Sequence, residues 1–246
     1  VIANVGAANT TGTTFQAGDV VNGGAGTDTL NISVSGGTAG TNAAVTLTGV
    51  EKVLVNNVNG AAQSISLALA DSSLSTVGQS ASNDNSVTTF TGLNKIVSSE
   101  LSNGSAGMTL TYNSSVVAGS ADAATLTLAN QTGGTFTSDG IETLNVVSST
   151  LANTIALGSS HTAVNVSGAA NLNLGSVPAS VATLNASGFT GNLTATLSNL
   201  ATQVVTAGSG NDAITAGTNL SGIGAVNGGA GTDTLVTTAD AVIATA

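Results

Sequence analysis

The chain has 246 residues, of which 41% are apolar but only 2% aromatic, and it contains no cysteine. A core must therefore be built in thin layers of Val, Ile, Leu and Ala, and neither a disulfide framework nor a thiolate metal site is possible. Two lysines, Lys52 and Lys95, against twelve acidic residues leave a net charge of -10, which repels phosphate backbones and anionic lipid and argues against nucleic acid as a partner. Divalent cations, as hard ligands for carboxylate and carbonyl oxygen, would relieve the same imbalance.

Apolar residues alternate with polar ones in short runs: "NISVS" (31–35), "AVTLT" (44–48), "KVLVN" (52–56), "SISLAL" (64–69), "MTLTY" (108–112), "ATLTLA" (124–129), "TLNVV" (143–147) and "NLTATLS" (192–198). Each predicts a strand with one buried face, bounded by Gly, Asn, Ser and Asp turns. No helical spacing persists beyond a turn or two, so helix content is expected to be small. No run of about 18 apolar residues offers a membrane-inserting helix. The opening "VIANVGAANTTG" lacks the basic segment of a signal peptide and an initiator Met, which suggests a piece of a longer chain.

A longer period enters in the second half. Leu144-Asn145, Val164-Asn165 and Leu184-Asn185 recur every twenty residues, followed by Val204-Val205 and Val226-Asn227. A second series, Ile155, Leu172, Leu193, Ile214 and Leu235, runs beside it. Two strands per step predict an all-β fold, an elongated parallel β-solenoid whose coils cannot bury their apolar edges alone. The expected organisation is a β-rich repeat segment over 1–135, with one calcium nonapeptide, and a solenoid over 136–246 with C-terminal nonapeptides. Stacking would place Asn145, Asn165 and Asn185 in an amide ladder inside the solenoid, whereas Asn57, at a strand edge, is expected to be exposed. "TLTGVEKVLV" (46–55), "TFTGLNKIVS" (89–98) and "TSDGIETLNV" (137–146) share a Gly, an aliphatic residue, a polar pair and a strand; the glycine would close one turn as the next coil begins.

The candidate metal ligands lie in "NGGAGTDTL", present letter for letter at 22–30 and 227–235. With the residue that follows, both copies fit the calcium nonapeptide Gly-Gly-x-Gly-x-Asp-x-U-x, where U is a large aliphatic residue. The first supplies Gly23, Gly24, Gly26 and Asp28, the second Gly228, Gly229, Gly231 and Asp233. A weaker copy at 207–215 keeps Gly208, Gly210 and Asp212 but begins with Ala207. Glycines let the backbone turn tightly and aim carbonyl oxygens inward, the Asp adds an anionic oxygen, and two turns on adjacent coils can surround one Ca²⁺ with about six to eight oxygens. Asp212 and Asp233 are one coil apart and form the leading candidate pair.

These nonapeptides, the Gly-aliphatic strand starts and the Cys-free composition resemble RTX-type bacterial surface-layer proteins of the Caulobacter and Campylobacter kind. The resemblance implies type I secretion, folding outside the cell on Ca²⁺, and self-assembly into a two-dimensional lattice on the bacterial surface, anchored to outer-membrane lipopolysaccharide through parts outside this segment. Uninterrupted tandem nonapeptides are missing, which favours a solenoid with sparse calcium sites over a long regular β-roll. The alternative is a repeat or binding module of a large secreted RTX adhesin. An enzyme is not expected: His161, the only histidine, stands beside Ser159 and Ser160 with no placed carboxylate or oxyanion site, and one His cannot hold a catalytic zinc.

Overall fold

The computed structural model describes residues 2–5, 15–35, 39–42, 44–198, 203–216 and 225–237. It is all-β, a parallel β-solenoid of about nine turns, with no helix among the described residues. Strands alternate between two long sheets. An eleven-stranded sheet carries β1 (Ile2–Val5), β3 (Thr29–Val34), β6 (Lys52–Asn57), β8 (Thr76–Ser80), β10 (Ser98–Ser102), β12 (Ala123–Ala129), β14 (Thr143–Ser149), β16 (Ala163–Gly168), β18 (Thr183–Phe189), β20 (Val204–Thr206) and β22 (Ala225–Asn227). A ten-stranded sheet carries β4 (Gly40–Asn42), β7 (Gln63–Ser66), β9 (Thr88–Leu93), β11 (Met108–Tyr112), β13 (Thr132–Ser138), β15 (Asn153–Leu157), β17 (Leu172–Val177), β19 (Leu193–Leu197), β21 (Ala213–Ala216) and β23 (Thr234–Thr237). β2 (Val20–Asn22) and β5 (Thr46–Thr48) form a short third side near the N-terminal end, extended by one bridge between Leu47 and Ala70.

Parallel sheets covered on both faces read as continuous apolar runs. Here each sheet has one face on the core and one in solvent, so the strands alternate instead. Leu144 and Val146 are buried while Thr143, Asn145 and Val147 between and beside them are only partly so. The register stacks like on like: Leu30, Val53, Val77, Ser99, Leu126, Val146 and Val166 form one inward column through seven coils. The coil step is 20 residues from Asn145 to Asn165 and again to Asn185. It is 23 from Leu30 to Val53 and 24 from there to Val77, because those coils also build the third side. All eight runs predicted from alternation overlap strands. Others, such as β8, escape the pattern because Val77, Gly78 and Gln79 are buried in succession.

The glycines of the three echoes adopt the left-handed conformation, with φ of 58° at Gly49, 70° at Gly92 and 79° at Gly140. The aliphatic residue after each one, Val50, Leu93 or Ile141, is buried. A backbone that reverses at a corner reaches this region cheaply only with glycine, so each echo marks the corner that leads into the eleven-stranded sheet, from the ten-stranded sheet at Gly92 and Gly140 and from the short third side at Gly49.

Three expectations need correction. Asn145, Asn165 and Asn185 do stack in register, but they face outward. Asn185 is exposed and the other two partly so, with one rung bonded, Asn165 Nδ2 to Asn145 Oδ1 at 2.9 Å. Flanking inward aliphatics on the same strands force that orientation. Asn57, in contrast, is fully buried, the third inward position of β6 after Val53 and Val55. The second series slips by two: Leu172 pairs with Leu193, but Ile214 pairs with Ala195, and Leu172 pairs with Asn153 rather than with Ile155. Between β17 and β19 the register also shifts by one residue, at a bulge between Asn173 and Gly175.

His161 is a core residue. It is completely buried, its Nδ1–H donates to the Ile141 carbonyl at 2.9 Å, and its ring stacks on Phe136 with centroids 6.4 Å apart. Burial holds its pKa below the usual 6.5, although the Ile141 carbonyl and the charge of Asp139 pull the other way. The unfolded chain therefore takes up a proton first on acidification. The His161 contribution is fully present above pH 6.5 and declines as pH falls below it. Thermal melts at about pH 7.5 and 5.5 should show a loss at the lower pH that is smaller in His161→Gln.

Candidate calcium-binding turns

The two copies of "NGGAGTDTL" fold alike. In the first, Asn22 ends β2 and its Oδ1 accepts the Gly24 N–H at 3.0 Å; in the second, Asn227 ends β22 and accepts the Gly229 N–H at 3.0 Å. Gly24 and Gly229 have φ of 88° and 84°, Gly26 and Gly231 of 122° and 120°. L side chains rarely adopt such values. The remaining glycine is dictated by space: a Cβ on Gly23 would lie 1.9 Å from the Gly49 carbonyl oxygen, and one on Gly228 would lie 2.5 Å from Asp233 Oδ2.

The copies occupy different corners of the solenoid. The first joins the short third side to the eleven-stranded sheet, and the second joins the eleven-stranded sheet to the ten-stranded one. Leu30, the aliphatic anchor of the first, is fully buried, whereas Leu235 is 47% exposed, at the edge strand of its sheet.

At the C-terminal corner the structure brings Asp212 and Asp233 onto adjacent coils. The Asp212 N–H donates to Asp233 Oδ1 at 2.9 Å. Asp212 itself is buried, and both of its carboxylate oxygens are engaged: Oδ1 accepts the Leu193 N–H at 2.7 Å and Oδ2 the Gly208 N–H at 3.0 Å. Gly208 and Gly210 are required for close coil packing, since a Cβ on either would meet the carbonyl oxygen of Phe189 at 2.1 Å or of Gly191 at 2.3 Å. Asp212 thus tethers backbone across two coils, and Asp233, exposed at the edge, carries the outward-facing charge of the pair.

At the N-terminal corner the arrangement differs. The Asp28 N–H donates to Glu51 Oε2 at 2.7 Å, and the Asp28 carbonyl accepts the N–H groups of Glu51 and Lys52 at 3.2 and 3.1 Å. Two carboxylates therefore stand on neighbouring coils, and Asp28 Oδ2 is buried with no hydrogen-bond partner. A buried anionic oxygen left unpaired is costly, and a cation is the partner that satisfies it. The two lysines are committed elsewhere: Lys52 Nζ lies 2.7 Å from Glu100, and Lys95 Nζ donates to the Ser72 carbonyl at 2.8 Å. Among the described residues no three carboxylate or imidazole groups converge, so a Ca²⁺ held here would draw most of its shell from backbone carbonyls, as glycine turns provide. The residues around Asp28 fit such an ion better than the Asp212 pair, whose buried carboxylate is already satisfied.

Glu51 was not among the residues singled out by motif, yet a signal for it was present. It is the acidic member of the Gly49-Val50-Glu51 echo. Gly140-Ile141-Glu142 repeats the geometry: the Asp122 N–H donates to Glu142 Oε2 at 2.8 Å, and Asp122 Oδ2 is likewise buried without a partner. No protein-family model, characterised protein or solved structure matches this chain.

Proposed function

We propose that this chain is a structural, self-associating extracellular segment, of the RTX surface-layer kind, whose solenoid is stiffened by Ca²⁺ at its glycine turns. The observation that carries the reading is the Asp28–Glu51 pair, with its unpartnered buried oxygen, over a turn built of left-handed glycines. In a calcium-poor cytosol the stacked carboxylates repel and the chain stays export-competent; outside the cell the ion joins two coils and its binding energy becomes folding energy. A molecule with a net charge of -10 then packs against copies of itself once divalent ions screen it.

Calcium titrated into EGTA-treated protein, followed by circular dichroism and light scattering, should order the chain and drive assembly with a midpoint of roughly 10⁻⁴–10⁻³ M. Glu51→Gln keeps an acceptor for the Asp28 N–H but removes a charge, and should move the midpoint about tenfold higher. A fold and a polymer both indifferent to chelation would overturn the proposal. A single file of coils also suits a rod in a secreted RTX adhesin; imaging cell surfaces for a two-dimensional array separates the two.

A further inference from the structure

We propose that the flank of the ten-stranded sheet bearing Asn171, Asn192 and Asn211 is a binding trough for a neutral polysaccharide, whose chain lies along the solenoid axis at one sugar per coil. The three asparagines occupy equivalent places in the corners before β17, β19 and β21. Each Oδ1 accepts a backbone N–H from the next coil: Asn171 from Asn192 at 2.9 Å, Asn192 from Asn211 at 2.8 Å, and Asn211 from Thr232 at 2.9 Å. All three side chains are exposed. With the oxygen fixed from behind, each carboxamide turns its Nδ2 donors to solvent in a set orientation, repeated once per coil.

Beside this row runs a second. Thr154, Asn173 and Thr194 are register partners on β15, β17 and β19, and Asn173 Oδ1 is likewise engaged, by the Gly175 N–H at 2.9 Å. Between the rows lies a trough of about 260 Å³. No strand of the ten-stranded sheet carries a charged residue. Nearer the N-terminal end the sheet also carries a hydroxyl column of Thr41, Ser64, Thr89, Thr109 and Thr137, offset from this row because Thr154 pairs with Thr132, and flanked by troughs of about 310 and 720 Å³, the larger of which includes Asp84.

The ligand class follows from this chemistry. A row of uncharged amide donors and hydroxyls matches the hydroxyl and ring oxygens of a sugar polymer. The coil repeat of about 4.7–4.9 Å is close to the length of one pyranose unit in an extended glycan. An anionic polymer finds no cationic side chain among the residues that line the trough. No aromatic platform is present, so affinity comes from donors already held in place and summed over successive coils.

Asn192→Asp tests the assignment cleanly. It leaves an oxygen to accept the Asn211 N–H and removes two outward donors. Asn185→Asp is the matched control, because Asn185 is exposed on the other sheet with its Oδ1 accepting the Ser187 N–H at 3.1 Å. Cellohexaose, maltohexaose, mannohexaose and, as the acidic comparison, hexagalacturonate are titrated calorimetrically into the intact chain in saturating Ca²⁺. At least one neutral hexaose should bind and hexagalacturonate should not. Asn192→Asp should weaken that binding about tenfold, and Asn185→Asp should leave it within about twofold. Absence of binding by every neutral hexaose, equal loss in both variants, or equal binding of hexagalacturonate would each overturn the proposal. So would inhibition of ice recrystallisation that Asn192→Asp abolishes without any sugar binding, since the rows would then order water rather than a glycan.

Discussion

Asn57→Leu should lower stability by about 3 kcal/mol or more, while Asn165→Leu should cost less than about 1 kcal/mol. Asn57 is fully buried at the end of β6, and its Nδ2 donates to the carbonyls of Ala61 and Ser86 at 3.1 and 3.0 Å. Its amide joins the turn after β6 to the turn of the following coil. Leucine would leave the buried Ser86 carbonyl and the half-buried Ala61 carbonyl unpaired, a buried orphan costing about 1–3 kcal/mol, and would lose the polar hold on the corner. Asn165 loses one partly exposed rung to Asn145, and water replaces it. For a chain of this size about 3 kcal/mol corresponds to roughly 6–12 °C in Tm, so melts of the two variants in excess Ca²⁺ distinguish them readily. Equal shifts would mean that the Asn57 amide does not hold the corner.

Gly23→Ala should be at least as damaging, and should also impair calcium-dependent ordering. The added methyl would lie 1.9 Å from the Gly49 carbonyl oxygen and 2.7 Å from Asp28 Cβ. The backbone of two coils must then separate, at a cost of about 3 kcal/mol or more. Gly18→Ala is the control: its φ is 89° but nothing lies within 4 Å of the new methyl, so only conformational strain of about 1–2 kcal/mol is expected. Chemical denaturation at saturating Ca²⁺ measures both. A Gly23→Ala variant no weaker than Gly18→Ala would show that the coils can spread at this corner.

Most of the architecture is legible in particular residues. Leu144-Asn145-Val146 recurring at twenty-residue steps reveals both the strand and the coil. Alternation is local, and where the coil length holds at 20 residues, from β12 to β18, sequence distance converts directly into register. The same alternation also fixes the direction of each side chain. Asn145 lies between inward Leu144 and Val146 and must face out; Asn57 continues Val53 and Val55 and must face in. Reading those asparagines by polarity rather than by phase gives the opposite and mistaken placement.

The candidate metal site is half legible. The glycines and Asp28 announce themselves because a left-handed turn and a close carbonyl leave few residue choices at those positions. Glu51 does not, because only coil closure sets it over an aspartate 23 residues earlier. The burial of Asp212, with both oxygens taken by backbone N–H groups, is equally invisible in a motif shared with the exposed Asp233. By itself, then, the sequence determined most of the strands, the coil period of the second half and the glycine corners, which depend on spacing and on local backbone conformation. The tertiary structure alone decided which carboxylates face each other, which are already satisfied, and where the bulge at Asn173 and Gly175 shifts the register, because those outcomes depend on contacts between coils that no single coil encodes.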